Sequence, residues 1–125
     1  MSVLSKAIRA CLGPVMTGDS GDLQAEAVFP SGFPGFDGHF PGKPVLPGVC
    51  LVQTAIAMLG VHRKAPVGLK RLITAKWPAP VLPGETIRLV LKPAGESIVK
   101  VSVTRGADKV AEFSLEIVTE VGSAL

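Results

Sequence analysis

The sequence predicts an α+β chain in which an antiparallel sheet wraps around one long central helix. Three observations carry that prediction. Three consecutive segments in the C-terminal half alternate apolar and polar residues with period two. One uncharged stretch of helical length, residues 45–62, has no rival elsewhere. Hydrophobic residues make up 47% of the 125 residues and charged ones 18%, with a mean hydropathy of +0.44, which exceeds what a chain of this size needs for its own core. The surplus predicts surface shared with another subunit, in a twofold homodimer, a higher oligomer of dimers or a heteromer with a related chain.

The length predicts a single domain, 1–125, without repeats or linkers. Residues 1–12 read as a short amphipathic helix with Lys6 and Arg9 on its polar side, rather than as a charged region followed by an apolar leader. Gly13-Pro14 and the polar run Thr17 to Gly21 form a turn, and Leu23 to Phe29 alternates weakly as a strand. Pro30 to Pro44 is a Gly/Pro-rich loop too long to be a simple turn, and loops of that length in compact domains are often functional. The central helix follows, with Pro47 expected at its first position, where a missing N–H costs nothing. Val45 to Val61 carries no charge, but it is marginal in length for a membrane span and interrupted by Pro47, Gly48 and Gln53. It therefore reads as a buried helix, and no membrane role is expected.

The rest reads as one meandering sheet. Leu69 to Trp77 is a strand, followed by Pro78, Pro80 and a Leu82-Pro83-Gly84 turn. Ile87, Leu89 and Leu91 alternate with Arg88 and Lys92; Val99, Val101 and Val103 alternate with Lys100, Ser102 and Thr104. Ala111, Phe113, Leu115 and Ile117 alternate with Glu112, Ser114 and Glu116, after a hairpin turn at Gly106-Ala107-Asp108. Such alternation marks an antiparallel sheet with one wet face.

Chemistry concentrates in Phe36-Asp37-Gly38-His39-Phe40-Pro41-Gly42. Its glycines let backbone approach a ligand, and the helix starts shortly afterwards. The first amides of that helix carry partial positive charge and can polarise a thioester carbonyl. A neutral imidazole near that carbonyl can remove a proton from the adjacent carbon. The structural alternative for His39 is a side chain that pins the loop by hydrogen bonds.

The run "GHFPGKPVLPGVCLVQTAIAML" resembles the signature of the 3-hydroxyacyl-[acyl-carrier-protein] dehydratases of the FabZ/FabA type. "ITAKWPAPVLPGETIRL" resembles their next block and "KVAEFSLEIV" their final strand, so the resemblance covers roughly Leu23 to Val118. It implies a hotdog fold, active sites at a dimer interface, and an acyl carrier protein as the partner that bears the substrate; separately, no residues have metal-ligand spacing and no phosphate loop or nucleotide motif appears, so no cofactor or metal is expected. It implies further that His39 is the base that takes the Cα proton of a 3-hydroxyacyl thioester, and that amides at Gly48 and Val49 hold the thioester oxygen. The family's acid, Glu or Asp on the central helix of the other subunit, falls at Gln53.

An amide cannot donate a proton near neutral pH, although it still hydrogen-bonds. Three readings follow: a dehydratase using another acid, with Asp37 the best candidate; half of a heteromer in which a related subunit supplies the carboxylate; or a protein that binds acyl thioesters without turning them over. A thioesterase on the same fold lacks a well-placed carboxylate and ranks lower. Asp37 also reads as a loop residue capping its own backbone, Glu85 as a turn residue and His62 as a helix-end cation.

Cys11 and Cys50 lie in apolar contexts. That argues against a disulfide scaffold and predicts a reducing, cytoplasmic setting, with Cys50 buried and inert. The net charge is only +3, yet no Asp or Glu occurs between Asp37 and Glu85, while Lys43, Arg63, Lys64, Lys70, Arg71 and Lys76 do. The last five are candidate docking residues for an acidic carrier, against a plain solvated rim as the alternative. With Trp77 the only aromatic among them and no matching motif, nucleic acid is not the expected partner.

Overall fold

The computed structural model describes residues 3–36 and 44–119. Its elements are α1 (Val3–Cys11), β1 (Met16–Thr17), β2 (Leu23–Val28), a 3-10 turn at Pro34–Phe36, α2 (Gly48–Arg63), β3 (Gly68–Lys76), β4 (Thr86–Pro93), β5 (Ile98–Arg105) and β6 (Asp108–Val118). The six strands form one antiparallel sheet in the order β1-β2-β4-β5-β6-β3.

The period-two residues do what their spacing requires. Ile87, Leu89 and Leu91 of β4, Val99, Val101 and Val103 of β5, and Ala111, Phe113, Leu115 and Ile117 of β6 are all buried. They face one layer with Cys50, Leu51, Val52, Ala55, Met58 and Leu59 of α2. A single helix lying in the hollow of one sheet is the hotdog arrangement. The alternation slips once, where a register shift after Val103 lets Val110 and Ala111 both turn inward, as a β-bulge allows. The hairpin before it is a two-residue turn, with Arg105 opposite Asp108 and Gly106 at φ +61.

The sheet is not a plain meander. β4, β5 and β6 follow one another, but β2 and β3, which flank α2 in sequence, lie on opposite sides of that trio. The helix carries the chain from one side to the other, so β3 becomes an edge strand. Its burial shows it: of Gly68–Lys76 only Ala75 is even half-buried.

The central helix also starts later than its sequence suggested. Residues 45–47 are extended, because the Leu46 N–H donates to the Val81 carbonyl at 2.8 Å and Pro47 sits at φ −63, ψ 143 as the N-cap. At the other end α2 runs through Arg63 and stops at Lys64 in the left-handed conformation, φ 56. His62 therefore lies in the last turn, one residue inside the end. Nor is α2 covered all round within the chain: Val49, Gln53 and Val61 are exposed, while Ile56, Ala57 and Gly60 are half-buried. No helix among the described residues is long and apolar enough to cross a membrane.

Candidate functional site

The start of α2 is held from two directions. Phe29, Phe33 and Phe36 are all buried and stack edge to face, with centroid distances of 4.8 and 6.0 Å. A Cβ on Gly35 would collide with the Phe33 ring and stand 2.9 Å from the Cys50 sulfur, so only glycine lets this turn press against the first turn of α2. On the other flank, buried Leu46 is tied to Val81. Asp37 and His39 themselves lie outside the described residues.

Gly48 and Val49 occupy the first two helical positions, so their N–H groups have no acceptor within the helix; the Cys50 N–H already reaches back to the Pro47 carbonyl at 2.9 Å. Among the described residues no side chain caps this end. Trp77, at the end of β3, lies across it: a Cβ on Gly48 would stand 2.9–3.0 Å from three atoms of the indole. The indole is held in turn by Phe113, centroid to centroid 5.5 Å. In the sequence Trp77 reads as the end of a strand and the one aromatic among basic residues. Nothing in a linear pattern reports a contact between a strand end and a helix start.

One turn along, Gln53 shares the face of Val49, and the two line a groove of about 390 Å³ between α1, α2 and the start of β3. Its walls are apolar, from Ile8, Val52, Ile56, Val67 and Leu69 among others. Among its described lining residues none is an Asp or Glu, and the one charged residue is Arg9 from the last turn of α1. The sequence placed Arg9 on the polar side of that helix but gave no sign that it faces the groove.

The remaining candidates are explained locally. Cys50 is buried, and burial pushes its thiol above the usual cysteine range, as it does for Cys11, so the thiolate is scarce at neutral pH. The buried Thr54 hydroxyl donates to the Cys50 carbonyl at 2.6 Å. Glu85 accepts the Leu82 N–H at 2.8 Å and a bond from Arg105 at 3.0 Å, which makes it a turn residue.

The five docking candidates are spread over the end of α2 and the length of β3. Arg63 and Lys64 stand at the end of α2. Lys70 and Arg71 both reach Glu116, at 3.6 and 3.0 Å. Lys76 lies on the outer face of the sheet, in a shallow hollow of about 590 Å³ shared with Lys92 and Lys100. That hollow is larger than the groove of Gln53, but it lies on the far side of the sheet from α2 and holds none of the other candidates. Among the described residues no group of three or more His, Cys, Asp or Glu could hold a metal.

Comparison with known proteins places the fold and the family. The ApeI-like family model, described as ApeI dehydratase, matches residues 15–114. The chain is 37% identical over 71 residues to the 3-hydroxyacyl-[acyl-carrier-protein] dehydratase FabZ of Rhodopseudomonas palustris (strain HaA2), covering 50% of this chain and 47% of that one. With the enzyme of the same name from Geobacter metallireducens it shares 30% over 100 residues, covering 65% and 67%. The chain thus spans about half to two thirds of the length of these curated relatives. In structure it resembles the dehydratase heterocomplex ApeI:P from Xenorhabdus doucetiae, with a TM-score of 0.74 over 85% of this chain and 95% of that chain at 15% identity, a likeness of fold. With a family match over most of its length, from β1 into β6, this chain belongs to the ApeI-like dehydratase family.

Proposed function

We propose that the protein is a 3-hydroxyacyl-[acyl-carrier-protein] dehydratase-like enzyme that eliminates water from a 3-hydroxyacyl thioester to give the trans-2-enoyl thioester, as in fatty acid or polyketide type biosynthesis. The observation that supports this reading is the groove: Val49, whose amide opens the first turn of α2 beside that of Gly48, and Gln53 stand one helical turn apart on one mainly apolar wall. In it, those amides hold the thioester oxygen and stabilise the enolate that forms when His39 takes the Cα proton. The C3 hydroxyl then leaves as water, with its proton supplied by an acid. Gln53 lines the place of that acid and can only hydrogen-bond the hydroxyl.

The acid must come from elsewhere, since the groove's described lining contains no carboxylate. Asp37 is the candidate within the chain, and a related subunit is the candidate outside it. Losing general acid catalysis costs about a hundred- to ten-thousand-fold in rate, so this choice decides whether the chain alone is an enzyme. The second reading, a catalytically weak subunit of a heteromer, is favoured by Gln53 and by the heterocomplex of the structural relative.

The test is conversion of a 3-hydroxyacyl-carrier thioester to its enoyl form by the native protein, His39→Ala and Gln53→Glu. Native turnover that disappears in His39→Ala supports the enzyme and directs the search for the acid to Asp37. Activity that appears only in Gln53→Glu supports the binding subunit. Native turnover that survives in His39→Ala overturns the mechanism.

A further inference from the structure

The strands carry basic residues of two kinds. Lys70, Arg71, Arg88, Arg105 and Lys109 each reach a carboxylate, at 3.0–3.6 Å. Lys76, Lys92 and Lys100 reach none among the described residues, and all three line the shallow hollow of about 590 Å³ on the outer face of the sheet. The one carboxylate in the described lining of that hollow, Glu112, is held by Lys109 at 3.5 Å.

Strand register makes this gathering unfavourable for the chain by itself. Lys92 of β4 stands directly opposite Lys100 of β5, a placement in which like charges repel. The row continues through Ser114 of β6 to Thr74 of β3, so hydroxyls rather than carboxylates follow the two lysines. Lys76 is in the next row, opposite Glu112. These side chains are exposed and the repulsion between them is modest, but an anionic surface laid over the hollow meets all three cations at once.

Span and position say which anionic surface. From Lys76 to Lys92 the lysines cross four adjacent strands, about 15 Å, the length of about three turns of helix. Lys76 ends β3, and Trp77 after it lies across the start of α2 at Gly48. A partner seated on this face therefore has only the end of one strand between it and the amides of Gly48 and Val49. Arg63, by contrast, closes the 16-residue helix that Gly48 opens, about 22 Å away along its axis. A second copy of this chain is a poor occupant, because a twofold contact through the hollow sets lysines against lysines.

We propose that the outer sheet face at Lys76, Lys92 and Lys100 docks the acyl carrier protein, taking an acidic helix of the carrier so that its acyl-bearing arm passes the end of β3 at Trp77 to the start of α2. The inference rests on the functional reading above for the identity of the partner. It moves the docking surface away from Arg63 and Lys64 and adds Lys92 and Lys100 to it.

The experiment turns on Lys100→Glu. That change sets a carboxylate opposite Lys92, so it is expected to raise the urea midpoint of the chain while lowering its affinity for the carrier, opposite shifts that a merely structural role for Lys100 does not give. Titration calorimetry with a 3-hydroxyacyl-carrier thioester, and with the same acyl group on free pantetheine, compares the native chain with Lys100→Glu, with Lys92→Glu plus Lys100→Glu, and with Arg63→Glu plus Lys64→Glu. Carrier affinity is expected to fall about tenfold in Lys100→Glu, further in the Lys92 and Lys100 double variant, and not in the Arg63 and Lys64 variant. In the native chain it should weaken with added salt, and the pantetheine thioester should bind all four proteins alike. Carrier affinity undiminished in the Lys92 and Lys100 double variant, an equal loss in the Arg63 and Lys64 variant, a matching loss for the pantetheine thioester, or no carrier binding by the native chain overturns the inference. So does a short DNA duplex that displaces the carrier at equal concentration, since the face would then take any polyanion. Turnover of the carrier-borne substrate separates the two claims: docking that depends on Lys100 without dehydration overturns the enzyme reading alone, and dehydration that the lysine variants leave unchanged overturns the docking face alone.

Discussion

Gly48 lacks a Cβ for a reason that lies in another element. The Trp77 indole occupies the space a methyl would need, 2.9–3.0 Å from three ring atoms, so a side chain there must displace either the ring or the helix start. Gly48→Ala is therefore expected to destabilise the chain by about 1–3 kcal/mol, an overpacking cost that the better helix propensity of alanine only partly offsets. Trp77 is the sole tryptophan, so its emission reports the displacement directly. A shifted spectrum with a lowered urea midpoint is the expected result; an unchanged spectrum and midpoint would show that the ring yields freely. The burial of Cys50 was legible from its apolar neighbours, and burial is the cause of its raised thiol pKa. The Trp77–Gly48 contact and the approach of Arg9 to Gly60 were not legible, because each joins two elements whose relative placement no local spacing encodes.

Elements were legible wherever one face is wet and the other dry. The inward residues of β4, β5 and β6 were read from alternation alone, and all are buried. β3 escaped that logic: it was found as a strand, but its partner was not, because a strand exposed on both faces leaves no pattern that says where it docks. The Pro-rich connection from β3 to β4 is held by polar groups instead. Arg105 Nη1 donates to the Pro80 carbonyl at 2.7 Å and to Glu85 at 3.0 Å, and Glu85 accepts the Leu82 N–H, so one guanidinium pins the connection to the β5–β6 hairpin. Both side chains are partly screened, at 27% and 29% exposure. Arg105→Ala is expected to cost about 1 kcal/mol, at the upper end for an exposed pair because a carbonyl acceptor is lost as well. The urea midpoint should fall at constant slope. A midpoint that does not move would mean that the connection holds its course without the clamp.

At the scale of the molecule, the apolar surplus in the composition has a definite address. β3 stands at one end of the strand order with an unpaired edge, and it exposes Leu69, Leu72 and Ile73 at 46%, 43% and 39%, followed by Trp77 at 44%. The uncovered stripe of α2, Val49, Gln53 and Val61, is exposed in the same chain, and the groove of Gln53 runs onto Leu69 of this strand. A long apolar edge of this kind pairs with another chain or aggregates. We expect two copies to meet through β3, extending the sheet across a twofold axis and closing the groove with residues of the second copy. Such closure would remove water from the amides of Gly48 and Val49 and strengthen their hold on a developing oxyanion. Ile73→Asp introduces a charge that a paired β3 would have to bury, so it should convert a native dimer to monomers in sedimentation at micromolar concentration while leaving the far-ultraviolet signal of the sheet in place. It should also weaken acyl-thioester binding, because the groove would lose its second wall. A native chain that sediments as a monomer overturns self-pairing at this edge; a native dimer that Ile73→Asp leaves intact moves the interface away from β3.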